Sequence, residues 1–385
     1  MSPNFRLRER ISNVFPALTA LFRSGRIASI SKTTQAAHLP RFKLAGTLEM
    51  SLIRILTYPG LLALISLTGG PSATTTHAAE VVSYHGYPDC VQLKNQQTRV
   101  ILCPAAGGRV LEYSLQGKNV LYLDPEGAGG IYEPGKKGPS MTAGRFDIGP
   151  EQTIPRHPQL WMGRWQATIT GPRSARLTSQ ANKATGVQLT RDFTLDPTST
   201  NLSCRQTIKN VSPDPVAYCH WSRTFALGKG ICVIPLTRPS RFPHGYVMYG
   251  PGPAINFRPE DPNIRIRDQF LEITAAPRYP KLGMDSYAGW FAYLMKNNIM
   301  FIKRFPTYRN RVYNEVAGLT MSIWYPDRAM CELEPIGPQE NLQPGQSASF
   351  TETWQLLNYP FPAEGQQVDL PGLSKLVREN IDTSP

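Results

Sequence analysis

Histidine and cysteine are both scarce, six of each in 385 residues, and neither is grouped. No Cys-x-x-Cys pair occurs, so zinc-ribbon and thioredoxin-type chemistry lack their ligands and their nucleophile. His-Glu-x-x-His, Gly-x-Ser-x-Gly and a P-loop are all missing. That removes zincin proteolysis, the hydrolase nucleophile elbow and triphosphate binding by that loop. Gly127-Ala128-Gly129-Gly130 lacks the strand-to-helix setting of a dinucleotide site. The histidines beyond residue 80, His85, His157, His220 and His244, stand apart in the chain, so no metal site is expected. Acidic residues are the minority, 28 against 41 Lys and Arg. No apolar run approaches the ~20 residues of a membrane-spanning helix.

The basicity is uneven. Nine Lys and Arg and two Glu precede residue 80, so about half of the net charge of +13 sits there. In that segment MSLIRILTYPGLLALISLTGGPSATTTHAAE starts at Met50, carries Arg54, runs apolar from Leu61 to Leu67 and closes on Ala78 and Ala79. A short charged region, an apolar run and a small-residue cleavage point make an export signal. The chain therefore divides into residues 1–49, an N-terminal extension that is either a mis-assigned start or an unusually long n-region; residues 50–79, a signal peptide; and residues 80–385, one large β domain. The expected location is periplasmic or secreted, with membrane contact only through the signal segment. All six cysteines follow the cleavage point, which permits disulfides. Cys90 and Cys103 fall opposite each other in a hairpin that turns near Gln96-Gln97, as a bridge or as two buried thiols.

Glycine (31) and proline (35) make about a sixth of the chain, enough for many turns and short of the ~25–30% of a low-complexity chain. From residue 80 onward, short alternating runs are separated by Gly, Pro, Asn and Asp, the pattern of an all-β protein with few short helices. RVLEYSLQGKNVLYLD (109–124) reads as two strands about a Gln-Gly turn, and LTRDFTLDPTSTNLSCRQTIKN (189–210) as two more about Asp-Pro. LSKLVREN near the C-terminus can form one short helix. In SASFTETWQL (347–356), Ala348, Phe350, Trp354 and Leu356 share a face with Glu352, a carboxylate that needs a partner or a cleft there. In CELEP (331–335), Glu332 and Glu334 share a face, roughly 7 Å apart in an extended strand. Like charges that close raise one of the two pKa values. The irregular 124–144 loop is long enough to be a functional cover.

Three further islands carry chemistry: Gly144-Arg145 followed by His157, Trp161 and Trp165; Cys219-His220-Trp221 with Arg223; and Leu333-Glu334 ahead of Pro344-Gly345. Their order and spacing, with PAAGGRVLEYSLQGKNVLYLD as an opening hairpin, resemble the galactose-mutarotase-like superfamily of aldose 1-epimerases and their relatives, nearer an exported branch of it. The resemblance spans roughly residues 85 to 358. It implies a β-supersandwich whose concave sheet binds a sugar, with no cofactor. Glu334 would be the general base and His220 the general acid. Arg145, His157, Trp165, Trp221, Arg223 and Glu332 would bind substrate. Anomers interconvert when a proton leaves the C1 hydroxyl while another reaches the ring oxygen, work that suits a carboxylate and an imidazole on opposite sides of the ring.

The sequence also departs from that pattern. Cys219 stands where the family has Asn before the catalytic His, and Phe146-Asp147 replaces a second Asn-Arg pair. The sugar contacts are therefore expected to differ from those for galactose or glucose. The alternatives are a non-catalytic carbohydrate-binding module and a lyase- or hydrolase-associated domain acting on acidic polysaccharide. Burial of Glu334 or His220 in packing would favour the binding module. RPSRFPHGYVMYG (238–250) and FIKRFPTYRNRVY (301–313) interleave Arg with aromatics. They are either solvated strand faces or a grip for an acidic glycan, since nucleic acid sits poorly with export. The expected partner is a sugar or acidic glycan.

Overall fold

The computed structural model describes residues 78–382, and the expected N-terminal extension and most of the signal segment lie outside them. The first strand, Glu80–Tyr84, is followed by 22 more, arranged in a 13-stranded and a 10-stranded sheet. Every pairing between these strands is antiparallel, and just over half join strands consecutive in the chain. Among the described residues no helix is long and apolar enough to cross a membrane. The α-helices among the described residues are Pro158–Met162 and Leu370–Asp382, the second containing the expected LSKLVREN. The all-β architecture expected from the alternating runs is what forms, as two large antiparallel sheets with few helices.

The alternation places side chains as the sequence implies. In the strand Ser347–Asn358, Phe350, Glu352, Trp354 and Leu356 are buried between the sheets, while Ser347 and Ser349 are exposed. The strands Val187–Leu195 and Leu202–Asn210 bury every second residue in the same way. One core fills the space between the sheets, where Phe146 stacks on Trp354 with centroids 5.5 Å apart. The C-terminal helix lays Leu370, Leu373 and Val377 on the outer face of the second sheet, so that face too is covered. Gly107 and Gly108 adopt φ of +71° and +55°, and a Cβ on Gly107 would meet the Trp161 carbonyl at 2.1 Å. Only glycine lets this turn pass so close to the 158–165 segment.

Cys90 and Cys103 lie on paired strands in the expected hairpin register, one strand position beyond Val91 and Leu102. Both are buried thiols rather than a bridge. The carboxylate on the apolar face has its partner. Lys303 Nζ sits 3.0 Å from Glu352, and both side chains are fully buried. Lys303 comes from one sheet and reaches Ser222 Oγ (2.7 Å), Thr224 Oγ1 (2.9 Å) and the Leu333 carbonyl (3.3 Å) of the other. Trp354 and Gln206 donate to Glu352 at 3.0 and 3.2 Å. This interior ion pair is thus hydrogen-bonded on all sides, the condition for tolerating buried charge.

Candidate functional site

The site is built on one face of the larger sheet. Neighbouring residues of an extended strand point to opposite faces. In the strand Val216–Leu227, Trp221 and Arg223 therefore point outward while Ser222 and Thr224 point to Lys303. In the strand Met330–Pro335, Cys331 and Leu333 enter the core and Glu332 and Glu334 turn out with Trp221 and Arg223. Register completes the face. Arg223 lies opposite Arg145 and Trp221 opposite Asp147 of the strand Gly144–Gly149. Glu332 lies opposite Trp324, which in turn pairs with Lys281 at the start of the strand Lys281–Met284.

Within this face charge meets charge. Glu334 is fully buried; both of its oxygens accept from Lys281 at 2.7 Å, and Trp221 Nε1 donates to it at 2.9 Å. Glu332 accepts from Arg223 Nε at 2.9 Å, and Arg223 also reaches the exposed Glu151 at 3.3 Å. Asp147 takes Arg145 at 2.6 Å on one oxygen and His157 at 2.8 Å on the other. The second nitrogen of His157 faces the Pro155 carbonyl at 2.7 Å. With an acceptor at each nitrogen, the ring is held as the doubly protonated imidazolium. Arg145 stacks over Trp161 at 4.1 Å and Arg223 over Trp221 at 4.5 Å. The Nε–H of Arg145 is buried without an acceptor.

The two glutamates divide as like charges should. Burial pushes the Glu334 carboxyl up to about 7 against the pull of Lys281, and the Glu332 carboxylate adds to the rise. Burial acts on Glu332 too, but Arg223, Lys281 and Arg145 outweigh it and hold that group below the ordinary range. Burial likewise works against ionised Asp147, yet Arg145 and His157 keep it well below the usual carboxylate value. Burial disfavours the His157 cation, and Asp147 with the Pro155 carbonyl more than restores it. One measurement checks the first of these. Tryptophan emission should titrate with a midpoint near pH 7, because Trp221 bonds the titrating carboxyl. The transition should vanish in Glu334→Gln and in Trp221→Phe; if it persists in both, the assignment of that pKa fails.

Six of the eight residues singled out from sequence meet here: Arg145, His157, Trp221, Arg223, Glu332 and Glu334. Two do not. His220 points the opposite way, into the inter-sheet core, where it stacks on Phe350 at 5.8 Å with neither ring nitrogen hydrogen-bonded. Burial drives its pKa down to about 3. It cannot act with Glu334 across a sugar, and the expected acid–base couple is absent. Trp165 is buried as well, its Nε1 donating to the Leu160 carbonyl at 2.9 Å and its ring under Arg191 at 4.1 Å. It is a packing residue; the half-buried indole beside Arg145 is that of Trp161. Sequence reasoning missed Lys281, because its partner Glu334 lies two strands away. Cavities of about 180 and 270 Å³ open around Arg164 and Gln180, and Glu334 lines neither.

No family model matches the sequence, and no curated protein does. Among solved structures the chain is similar to the Slr1438 protein from Synechocystis sp. PCC 6803, with a TM-score of 0.50 and 15% identity over 72% of this chain and 99% of that one. It is also similar to a galactose mutarotase-like protein from Lactobacillus casei ATCC 334, with a TM-score of 0.48 and 10% identity over 70% of this chain and 100% of that one. Likeness at such identity is likeness of fold. What the chain shares with the Synechocystis protein is its fold, two large antiparallel sheets packed face to face.

Proposed function

We propose that this chain is an exported, saccharide-binding protein built on the mutarotase-like sandwich, and that it binds sugar on the Glu334 face. The observation that carries this reading is the convergence of Arg145, Arg223, Lys281, Glu332 and Glu334 with Trp161 on one hydrogen-bonded face. Planar guanidinium forks beside an indole offer what a sugar ring needs: fixed donors for its hydroxyls and an apolar surface for its C–H face. The carboxylates hold the cations in place. Lys281 and Arg223, with side chains 21% and 16% exposed, are the groups a sugar meets first, and the unpartnered Nε–H of Arg145 is a donor in reserve. With His220 in the core, binding takes precedence over catalysis.

A second reading, anomer interconversion, draws on one observation. A carboxyl with a pKa of about 7 can take and return a proton near neutrality. Glu334 would then act with an acid other than His220 once Lys281 gives way. Saturation-transfer NMR on a panel of free sugars separates the two. Binding should appear for the wild type and weaken about tenfold in Trp161→Ala, the loss of one good ring contact. Anomeric exchange should stay at the uncatalysed rate. Acceleration that disappears in Glu334→Gln would replace the first reading with the second, and no contact with any sugar would remove both.

A further inference from the structure

The two Arg- and aromatic-rich stretches, far apart in sequence, meet in the fold. Arg309 Nη2 donates to the Arg238 carbonyl at 3.3 Å and its guanidinium lies over the Tyr287 ring at 4.7 Å. Tyr287 is itself fixed, its backbone N–H donating to Thr237 Oγ1 at 2.8 Å and its ring set edge-on to Tyr313. Arg241 stands beside them, bonded through its backbone and side chain to Asp285 at 2.8 and 3.4 Å. Asp285 satisfies Arg241 and Glu340 satisfies Arg311. Arg238 and Arg309 are both exposed, and neither makes an ion pair among the described residues. Two guanidinium groups, one of them clamped to a ring and a carbonyl, are thus presented without a counter-charge.

From this we infer that the Arg238–Arg309 surface binds the anionic groups of a carboxylated or sulfated glycan chain. Guanidinium forks match the two oxygens of a carboxylate or sulfate, and a fork already immobilised loses less freedom on binding. Packing beneath the surface links these arginines to the Glu334 face. Arg241 Nη2 also bonds the Gly318 carbonyl, and neighbouring Ala317 and Leu319 pack with Trp221, Val247 and Tyr249. On this inference a glycan chain would seat one sugar at the Glu334 face and its acidic groups at the arginines. Glycan is favoured over nucleic acid because the net charge beyond residue 79 is only about half of the chain's +13. The inference rests on the saccharide-binding reading for its direction, while its charge argument stands alone.

The test compares binding of the full chain to polygalacturonate, a heparin-type sulfated chain, neutral dextran and a single-stranded DNA, for wild type, Arg238→Gln/Arg309→Gln and Glu334→Gln. The double arginine variant should lose at least tenfold on one or both anionic glycans, with a shallower salt dependence, and keep any affinity for neutral sugar. Its thermal midpoint should match the wild type, since both side chains are exposed. Whichever anionic glycan responds names the carboxylate or the sulfate. No anionic binding by the wild type, no loss in the double variant, or equal loss on neutral sugar overturns the inference. So does tighter, arginine-dependent binding of DNA. Arginine-dependent glycan binding that survives Glu334→Gln, without any neutral-sugar binding, supports this surface and removes the Glu334 reading instead.

Discussion

Replacing Lys303 with methionine should lower the free energy of unfolding by about 3–5 kcal/mol, the usual cost of leaving one member of a buried ion pair alone. Four acceptors lose their donor together: the Glu352 carboxylate, the hydroxyls of Ser222 and Thr224 and the Leu333 carbonyl. Glu352 would then be a fully buried anion supported only by the indole N–H of Trp354 and the amide of Gln206. The double change Lys303→Met/Glu352→Gln should recover at least half of the loss. The amide still accepts from Trp354, and no uncompensated charge remains. Urea titration of the wild type, both single variants and the double variant gives the coupling directly. A loss below about 1 kcal/mol in the lysine variant, or a double variant no better than it, would show that the pair contributes little.

His220→Phe should make the protein markedly more tolerant of acid while leaving the proposed saccharide binding unchanged. The folded protein keeps this imidazole neutral down to about pH 3, whereas the unfolded chain protonates it near 6.5. Between those values the unfolded state binds the extra proton, so stability falls as pH drops from 6.5 towards 3. Full development of such a shift is on the order of 4 kcal/mol. Phenylalanine cannot titrate, keeps the stack on Phe350 and removes two ring nitrogens that are buried without partners. Unfolding free energies measured from pH 7 to pH 4 should give a difference curve that opens progressively on the acid side. Parallel curves would rule out a buried neutral histidine, and loss of sugar binding would return His220 to the site.

The sequence disclosed the parts of this molecule that depend on alternation. Glu332 and Glu334 on one face with Cys331 and Leu333 on the other, the apolar row of the 347–356 segment, the hairpin bringing Cys90 opposite Cys103, and the need of Glu352 for a partner all follow from a period of two. The misplacement of His220 was legible by the same rule. It was grouped with Trp221 and Arg223, yet adjacent residues of one extended strand cannot share a face. The motif order pointed to the histidine, and the geometry of the strand excluded it. Trp165 shows a different limit, since an indole for packing and an indole for a sugar look alike in sequence, and only the fold shows Arg191 lying over its ring. Lys303 and Lys281 were invisible for a third reason. Each meets its carboxylate through strand pairings that no local spacing encodes.

The interior lysine also bears on how such a protein could be retargeted. Ser222 and Thr224 flank Arg223, and Leu333 sits between Glu332 and Glu334, so a single ammonium holds two side-chain hydroxyls and one backbone carbonyl behind the outward guanidinium and both outward carboxylates. On the saccharide-binding reading proposed above, new preferences are therefore expected to arise at the periphery, in the loops bearing Trp161 and Arg238, while the middle of the sheet stays as fixed as its foundations.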